Sequence, residues 1–376
     1  MVCVTEDTFG TAINPLTKEE VTIRRFTISN DLGMSMQVIT YGATITSLKV
    51  PDSHGTVDDV TLGFDNIEGY LSESNPYFGC MVGRVCNRIG NGSFTFDGEK
   101  YEITKNLLGK HTLHGGKHGF SKVIWEVDQL LPDGVVFKFI SPDGHEGFPG
   151  EVVATATYTI TDNNCMRYCL EANTTKPTPV NMTNHAYFNL AGHTAGKKGM
   201  TEHIVQIQAD CVTDTDEDIV PNGEFINLEN HPLDLRKLTN VGVGLEKISK
   251  IVNGYDHNYV FQCTPGFLEK QAKIFHPPSG RYMEVSSNQP CMQFYTANFL
   301  PDLEKSNQSM ITGKGDTFYE KHGAFCMETQ RFPDAVNHEN FPSVILTPGE
   351  TYQHVCIIRF GIYDANDESH GVILCD

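Results

Sequence analysis

Apolar and polar positions alternate along most of this chain, the period-two pattern of half-buried strands. Val21 to Ser29 alternates and is rich in β-branched residues. Met36 to Val50 continues in the same style, interrupted at Gly42 and ended by Pro51. Phe94 to Phe96, then Asp97-Gly98, then Tyr101 to Ile103 reads as a hairpin, because Asp-Gly tolerates positive φ at both central turn positions. Further strands are expected at Val135 to Ile140, Glu151 to Thr161, Cys165 to Asn173, Ile204 to Ala209, Met283 to Ser286, Met292 to Thr296 and His354 to Phe360. The best helical candidate, Leu233 to Leu238, is one or two turns long. The 34 glycines and 18 prolines suit many turns between short strands. The pattern predicts an all-β sandwich or barrel. No repeat, low-complexity segment or linker divides it, so one domain spanning 1–376 is expected.

Composition narrows the function classes. A formal charge of -19, from 28 basic and 47 acidic residues, argues against a nucleic-acid partner. No stretch approaches the ~18 apolar residues of a membrane span, so no membrane partner is expected. The 11 cysteines include no C-x-x-C pair, and the N-terminus carries Glu6 and Asp7 where a signal peptide needs an apolar run. Both point to a cytoplasmic protein with reduced thiols.

Polar residues cluster where strands should be apolar. Asn181-Met-Thr-Asn-His-Ala-Tyr-Phe-Asn-Leu190 holds three asparagines, a threonine, a tyrosine and His185. Burying such groups unpaired costs roughly 1–3 kcal/mol each, so they satisfy each other or face a polar ligand such as a sugar. Glu328 follows four uncharged residues, Ala324 to Met327, which makes it a candidate for burial and a tuned pKa. Gln293 sits in an otherwise apolar strand, and Asn87 and Arg88 in a strand-to-turn context. Metal binding is not expected. His111, His114 and His118 have metal-like spacing, but Gly115-Gly116 disfavours a helix and no cysteine or carboxylate completes the set. Asp214-Thr-Asp216-Glu-Asp218 fails as a calcium loop, with Ile219 where Gly belongs and Phe225 where Glu belongs. Gly313-Lys314-Gly315 lacks the upstream glycine of a phosphate loop, since position 308 is Gln308.

These motifs together resemble the aldose 1-epimerases, or galactose mutarotases. The resemblance rests on Gly83-Arg84 with Asn87-Arg88-Ile89, Leu113-His114-Gly115-Gly116, Asn184-His185-Ala186-Tyr187-Phe188-Asn189-Leu190, Tyr255-Asp256-His257-Asn258, Gln293-Phe294-Tyr295, and Glu328-Thr329-Gln330 with Phe332-Pro333-Asp334-Ala335. Leu62-Gly63-Phe64-Asp65 and Ser141-Pro142-Asp143-Gly144 add to it. It spans nearly the whole chain in the family's order. Cys86 departs from a usual small residue and Met327 from a frequent leucine.

The resemblance implies a large antiparallel β-sandwich, no cofactor, and interconversion of the α and β anomers of free hexoses such as galactose and glucose. It implies Glu328 as base on the C1 hydroxyl and His185 as acid on the ring oxygen. Asn87, Arg88, His114, Asp256 and Gln293 would bind the sugar, and Tyr187 would orient His185 or line the pocket. A monomer or weak dimer is expected. Three rivals have other needs. A hexose-6-phosphate epimerase wants cations beyond Arg84 and Arg88, and a sugar-binding sandwich needs no acid and base. A glycoside hydrolase would pair two carboxylates, and Asp256 with Glu328 is the pair that could pose as one.

Overall fold

The computed structural model describes residues 1–262, 264, 266–305 and 309–363. Gln308 and the end of the chain beyond 363, which the one-domain expectation includes, lie outside the described residues. Three antiparallel sheets carry the architecture. The largest has nine strands, in the spatial order Glu126–Leu131, Gly134–Ser141, Val152–Ile160, Cys165–Thr174, Tyr352–Ile362, Arg281–Ser287, Glu269–Phe275, Ile204–Ile207 and Thr239–Asn240. An N-terminal sheet runs Val2–Ile13, Glu20–Asn30, Ser35–Ile39, Thr44–Pro51 and Val57–Asp59. A third sheet runs Pro221–Asn227, Cys211–Thr215, Asp256–Val260, Cys291–Tyr295 and Cys326–Gln330.

One hydrophobic core joins all three sheets, with Phe26 and Ile28 from the N-terminal sheet, Tyr158, Tyr168 and Met283 from the large sheet, and Met292, Phe294 and Met327 from the third. The rings of Phe26 and Phe137 meet edge-on at 5.8 Å, pinning the N-terminal sheet to the large one. The Tyr168 and Thr329 hydroxyls lie 3.0 Å apart and pin the third. This is the antiparallel β-sandwich expected. Each fully buried aromatic or aliphatic side chain contributes roughly 1.5–3 kcal/mol.

The expected hairpin forms between Ser93–Phe96 and Glu99–Glu102, with φ of 50° at Asp97 and 77° at Gly98. The Met36 to Val50 run divides into Ser35–Ile39 and Thr44–Pro51, because Gly42 turns the chain at φ 63°. Leu233 to Leu238 is not helical. Leu233 and Leu235 instead enter the core from an irregular segment tied to its neighbours through its backbone, as where Tyr259 donates to the Leu233 carbonyl at 2.9 Å. The α-helices among the described residues are Ile67–Leu71, Gly196–Thr201 and Val241–Ile248. Asn66 and Asn240 cap the first and last by accepting from Gly69 and Val243.

Candidate active site

Strand alternation in the third sheet sets up the site. Asn258 pairs with Gln293, and Gln293 with Glu328, across three neighbouring strands. Paired residues share a face, so their side chains and that of Asp256, two residues before Asn258, point one way. The intervening residues Tyr259, Met292, Phe294 and Met327 point the other way, into the core. One face of the sheet is therefore apolar and packed, and the other is a row of amides and carboxylates.

The stretch 181–190 supplies the opposite wall. Thr183–Asn184 pairs with Met81–Val82. The Asn184 amide donates to the Gly79 carbonyl at 2.8 Å, and its Oδ1 accepts from Ala186 N–H at 3.1 Å. This fixes the turn that carries His185, and the Gly79 N–H donates to the His185 carbonyl at 3.0 Å. Position 79 requires glycine: its φ is 68°, and an added Cβ would lie 1.9 Å from the Ile45 carbonyl oxygen. Thr183 donates to the Thr329 carbonyl at 2.8 Å, tying the His185 segment to the Glu328 strand. Asn181 bonds the backbone of Arg331, and Asn189 donates to the Gly323 carbonyl. The asparagines of this stretch thus satisfy backbone groups, and His185 and Tyr187 are its members that face the cavity.

That cavity, of about 280 Å³, is lined by Asn87, Arg88, His114, His185, Tyr187, Asp256, Gln293 and Glu328. The structure brings all eight residues singled out in the sequence together. Its volume suits a ligand at the small end of the usual range. His185 Nε2 lies 3.8 Å from Glu328 Oε1. Asn87 donates to Gln293 Oε1 at 3.2 Å, and Gln293 donates to Asp256 Oδ1 at 2.6 Å. The Asn87 backbone N–H donates to His114 Nδ1 at 3.2 Å, which assigns the proton of the neutral ring to Nε2. Arg88 donates to the Ile219 carbonyl at 3.1 Å and is the one Lys or Arg among the described lining residues. Arg84 is elsewhere: its guanidinium reaches the Pro149 and Gly150 carbonyls and the Ser141 hydroxyl.

Burial dominates the electrostatics. It pushes Glu328 well above the usual carboxylate range, and the nearby Asp256 charge adds to this. It raises Asp256 as well, against the pull of Arg88 and the Gln293 hydrogen bond. It pushes His185 down to about 4, and holds His114 well below its ordinary value with help from His185. One donor atom from each of His185, Cys326 and Glu328 falls within 4.8 Å of the others, close enough to share a metal ion. Burial and the Glu328 charge push the Cys326 thiol well up.

Sequence reading did not single out Pro76, Tyr77, Leu107 or Phe299, which also line the cavity. Apolar and aromatic residues in turns carry no signal that separates a cavity wall from ordinary packing.

A family model described as aldose 1-epimerase matches residues 24–359. The chain belongs to this family. The galactose mutarotase of Bos taurus is 43% identical over 364 residues, covering 96% of this chain and 100% of that protein. The galactose mutarotase of Homo sapiens is 42% identical over the same shares. Among solved structures, an aldose epimerase homologue from C. elegans superposes with a TM-score of 0.79 at 28% identity, covering 89% of this chain and 98% of that one. A galactose 1-epimerase from Lactobacillus acidophilus has the same fold, with a TM-score of 0.79 at 22% identity over 97% and 100%. As an aldose 1-epimerase the chain is an isomerase. No helix among the described residues is long and apolar enough to cross a membrane.

Proposed function

We propose that the chain interconverts the anomers of free hexopyranoses, galactose among them, with Glu328 as base and His185 as acid. The observation that carries this reading is the 3.8 Å separation of His185 Nε2 and Glu328 Oε1 in one cavity. The C1 hydroxyl and the ring oxygen are bonded to the same carbon, so an acid and a base for them must stand side by side. Glu328 takes the hydroxyl proton, a C=O bond forms at C1, the C1–O5 bond breaks, and His185 protonates O5. Rotation about C1–C2 presents the other carbonyl face. O5 then adds to C1, returning its proton to His185 while Glu328 returns one to O1. The balance needs no further reactant. While the chain is open Glu328 is protonated and His185 neutral, the pair of states that burial favours. A raised carboxylate is a stronger base and a depressed imidazolium a stronger acid, which suits the opening step.

Asp256, buttressed by Gln293 and Asn87, and Arg88 would hold the sugar hydroxyls, with His114 donating from Nε2. The galactose mutarotases at 42–43% identity support galactose as a substrate. A cytosolic setting suits the buried thiols of Cys80, Cys86 and Cys326.

The test is polarimetry on freshly dissolved α-D-galactose. The protein should speed the change of rotation, and Glu328→Gln and His185→Asn should each slow it by about 10²-fold or more while circular dichroism stays native. A folded variant with near-full rate would overturn the role given to that residue. No acceleration by the wild-type protein would overturn the choice of sugar.

A further inference from the structure

The Tyr77 ring forms part of the cavity wall beside both histidines. It lies 6.0 Å from the His185 ring with 20° between the planes, and 4.6 Å from the His114 ring. Tyr187 stacks on His185 at 5.0 Å and 16°. Both phenol rings therefore lie close to parallel with the imidazole. The two rings are also tethered, because the Tyr187 hydroxyl donates to the carbonyl of Pro76 at 3.0 Å, one residue before Tyr77. Tyr77 has φ of 67°, a conformation that a bulky residue keeps only where its surroundings hold it there. The Cys80 thiol donates to its carbonyl at 3.2 Å.

We propose that Tyr77 is a positioning residue for the epimerisation: with Tyr187 it fixes the plane of the His185 ring and stabilises that ring when it is charged. Aromatic faces are negative and attract cations most strongly where water is excluded. A rigid ring pair also keeps Nε2 aimed at one point, so the proton is delivered without a search for geometry. The proposal rests on the reading of His185 as the acid. The other charged or titratable groups near the two rings are Glu328 and Cys326 from one strand, His114 from its turn, Asp256 and Arg88 in the same cavity lining, Cys80, and Lys122, whose ammonium lies 5.5 Å over the Tyr77 ring. Substitution of Tyr77 removes none of them.

The test compares Tyr77→Phe, Tyr77→Leu and Tyr77→Met on galactose. Phe keeps the ring and should stay within about two-fold of wild type in kcat. Leu and Met fill the space without a ring. They should lower kcat about ten-fold with KM little changed, and should move the acid limb of the pH profile to lower pH. In the His185→Asn background the Leu change should cost nothing more, since the group it serves is gone. Full kcat in a ringless variant, an unmoved acid limb, or a Phe variant as poor as Leu would overturn the proposal. If Leu does not fold, Met decides the same comparison. Retained activity in His185→Asn would instead overturn the reading of His185 and leave the ring clamp without a function.

Discussion

In the proposed mechanism Glu328 and His185 act as a pair holding one proton between them, since one must give while the other takes. Their environments push the two pKa values past each other, with the carboxylate raised and the imidazole lowered to about 4. Two protons on the pair leave no base, and none leaves no acid. Because His185 is depressed, the second proton arrives only near pH 4. On its acid side kcat/KM on galactose should therefore fall with a limb near pH 4, a property of the coupled pair and not of either residue alone. Rates should be read within seconds of a pH jump from neutral, before acid unfolds the chain. An acid limb near the ordinary histidine value of about 6.5 would show that burial does not set this titration. At this scale the sequence was informative about chemistry and silent about walls. A carboxylate amid uncharged residues and a histidine amid amides stand out, whereas Tyr77 and Phe299 are aromatic residues like any others until the fold places them. The asparagines around His185 were the misleading signal. Their polarity serves the backbone of a turn, and nothing in the sequence separates an amide that binds a carbonyl from one that binds a sugar.

The strand Cys326–Gln330 shows how one element serves two purposes. Glu328 faces the cavity, and its neighbour Thr329 faces the core. There the Thr329 hydroxyl lies 2.7 Å from His354 Nε2 and 3.0 Å from the Tyr168 hydroxyl. His354 Nδ1 lies 3.0 Å from the Met182 carbonyl and donates to it, so Nε2 is the acceptor for Thr329. Thr329→Val keeps the shape and removes the hydroxyl, leaving His354 and Tyr168 short of a buried partner at a cost of about 1–3 kcal/mol. Thermal or denaturant unfolding should register that loss while kcat on galactose stays within about two-fold, because the backbone carbonyl that Thr183 holds is untouched. A large fall in kcat without loss of stability would mean that the two faces of the strand are coupled. Alternation also explains which elements were legible. Long alternating runs such as Cys165 to Asn173 appear close to where they were expected. Short bridging pairs such as Met81–Val82 with Thr183–Asn184 did not, since two residues carry no period. Leu233 to Leu238 misled because apolar spacing over six residues fits an irregular segment plugging a core as well as it fits a helix.

At the scale of the whole molecule, the net charge of -19 bears on the kind of ligand and says nothing about the fold. The pattern of buried histidines bears on stability. His203 and His354 are completely enclosed and pushed down to about 3, and His185 to about 4, in each case chiefly by loss of water. Their folded values lie below the unfolded value of about 6.5. Between those limits the unfolded chain binds protons that the native chain refuses, so stability falls as pH falls. By pH 5 each such histidine costs about 2 kcal/mol relative to a site without one, since a single pKa unit is worth about 1.4 kcal/mol. Glu328, Asp256 and Asp334 work in the other direction, being raised by burial and so taking up protons more readily folded than unfolded. A wild-type curve mixes both effects, and a single substitution separates them. In His354→Gln an amide can still donate toward Met182 or accept from Thr329, but it does not titrate. The variant should be less stable than wild type at pH 7, and the gap should narrow by about 2 kcal/mol at pH 5, as read from urea unfolding at both values. A gap that stayed constant would show that His354 takes up its proton as easily in the folded chain as in the unfolded one, and that the core around Thr329 admits charge or water.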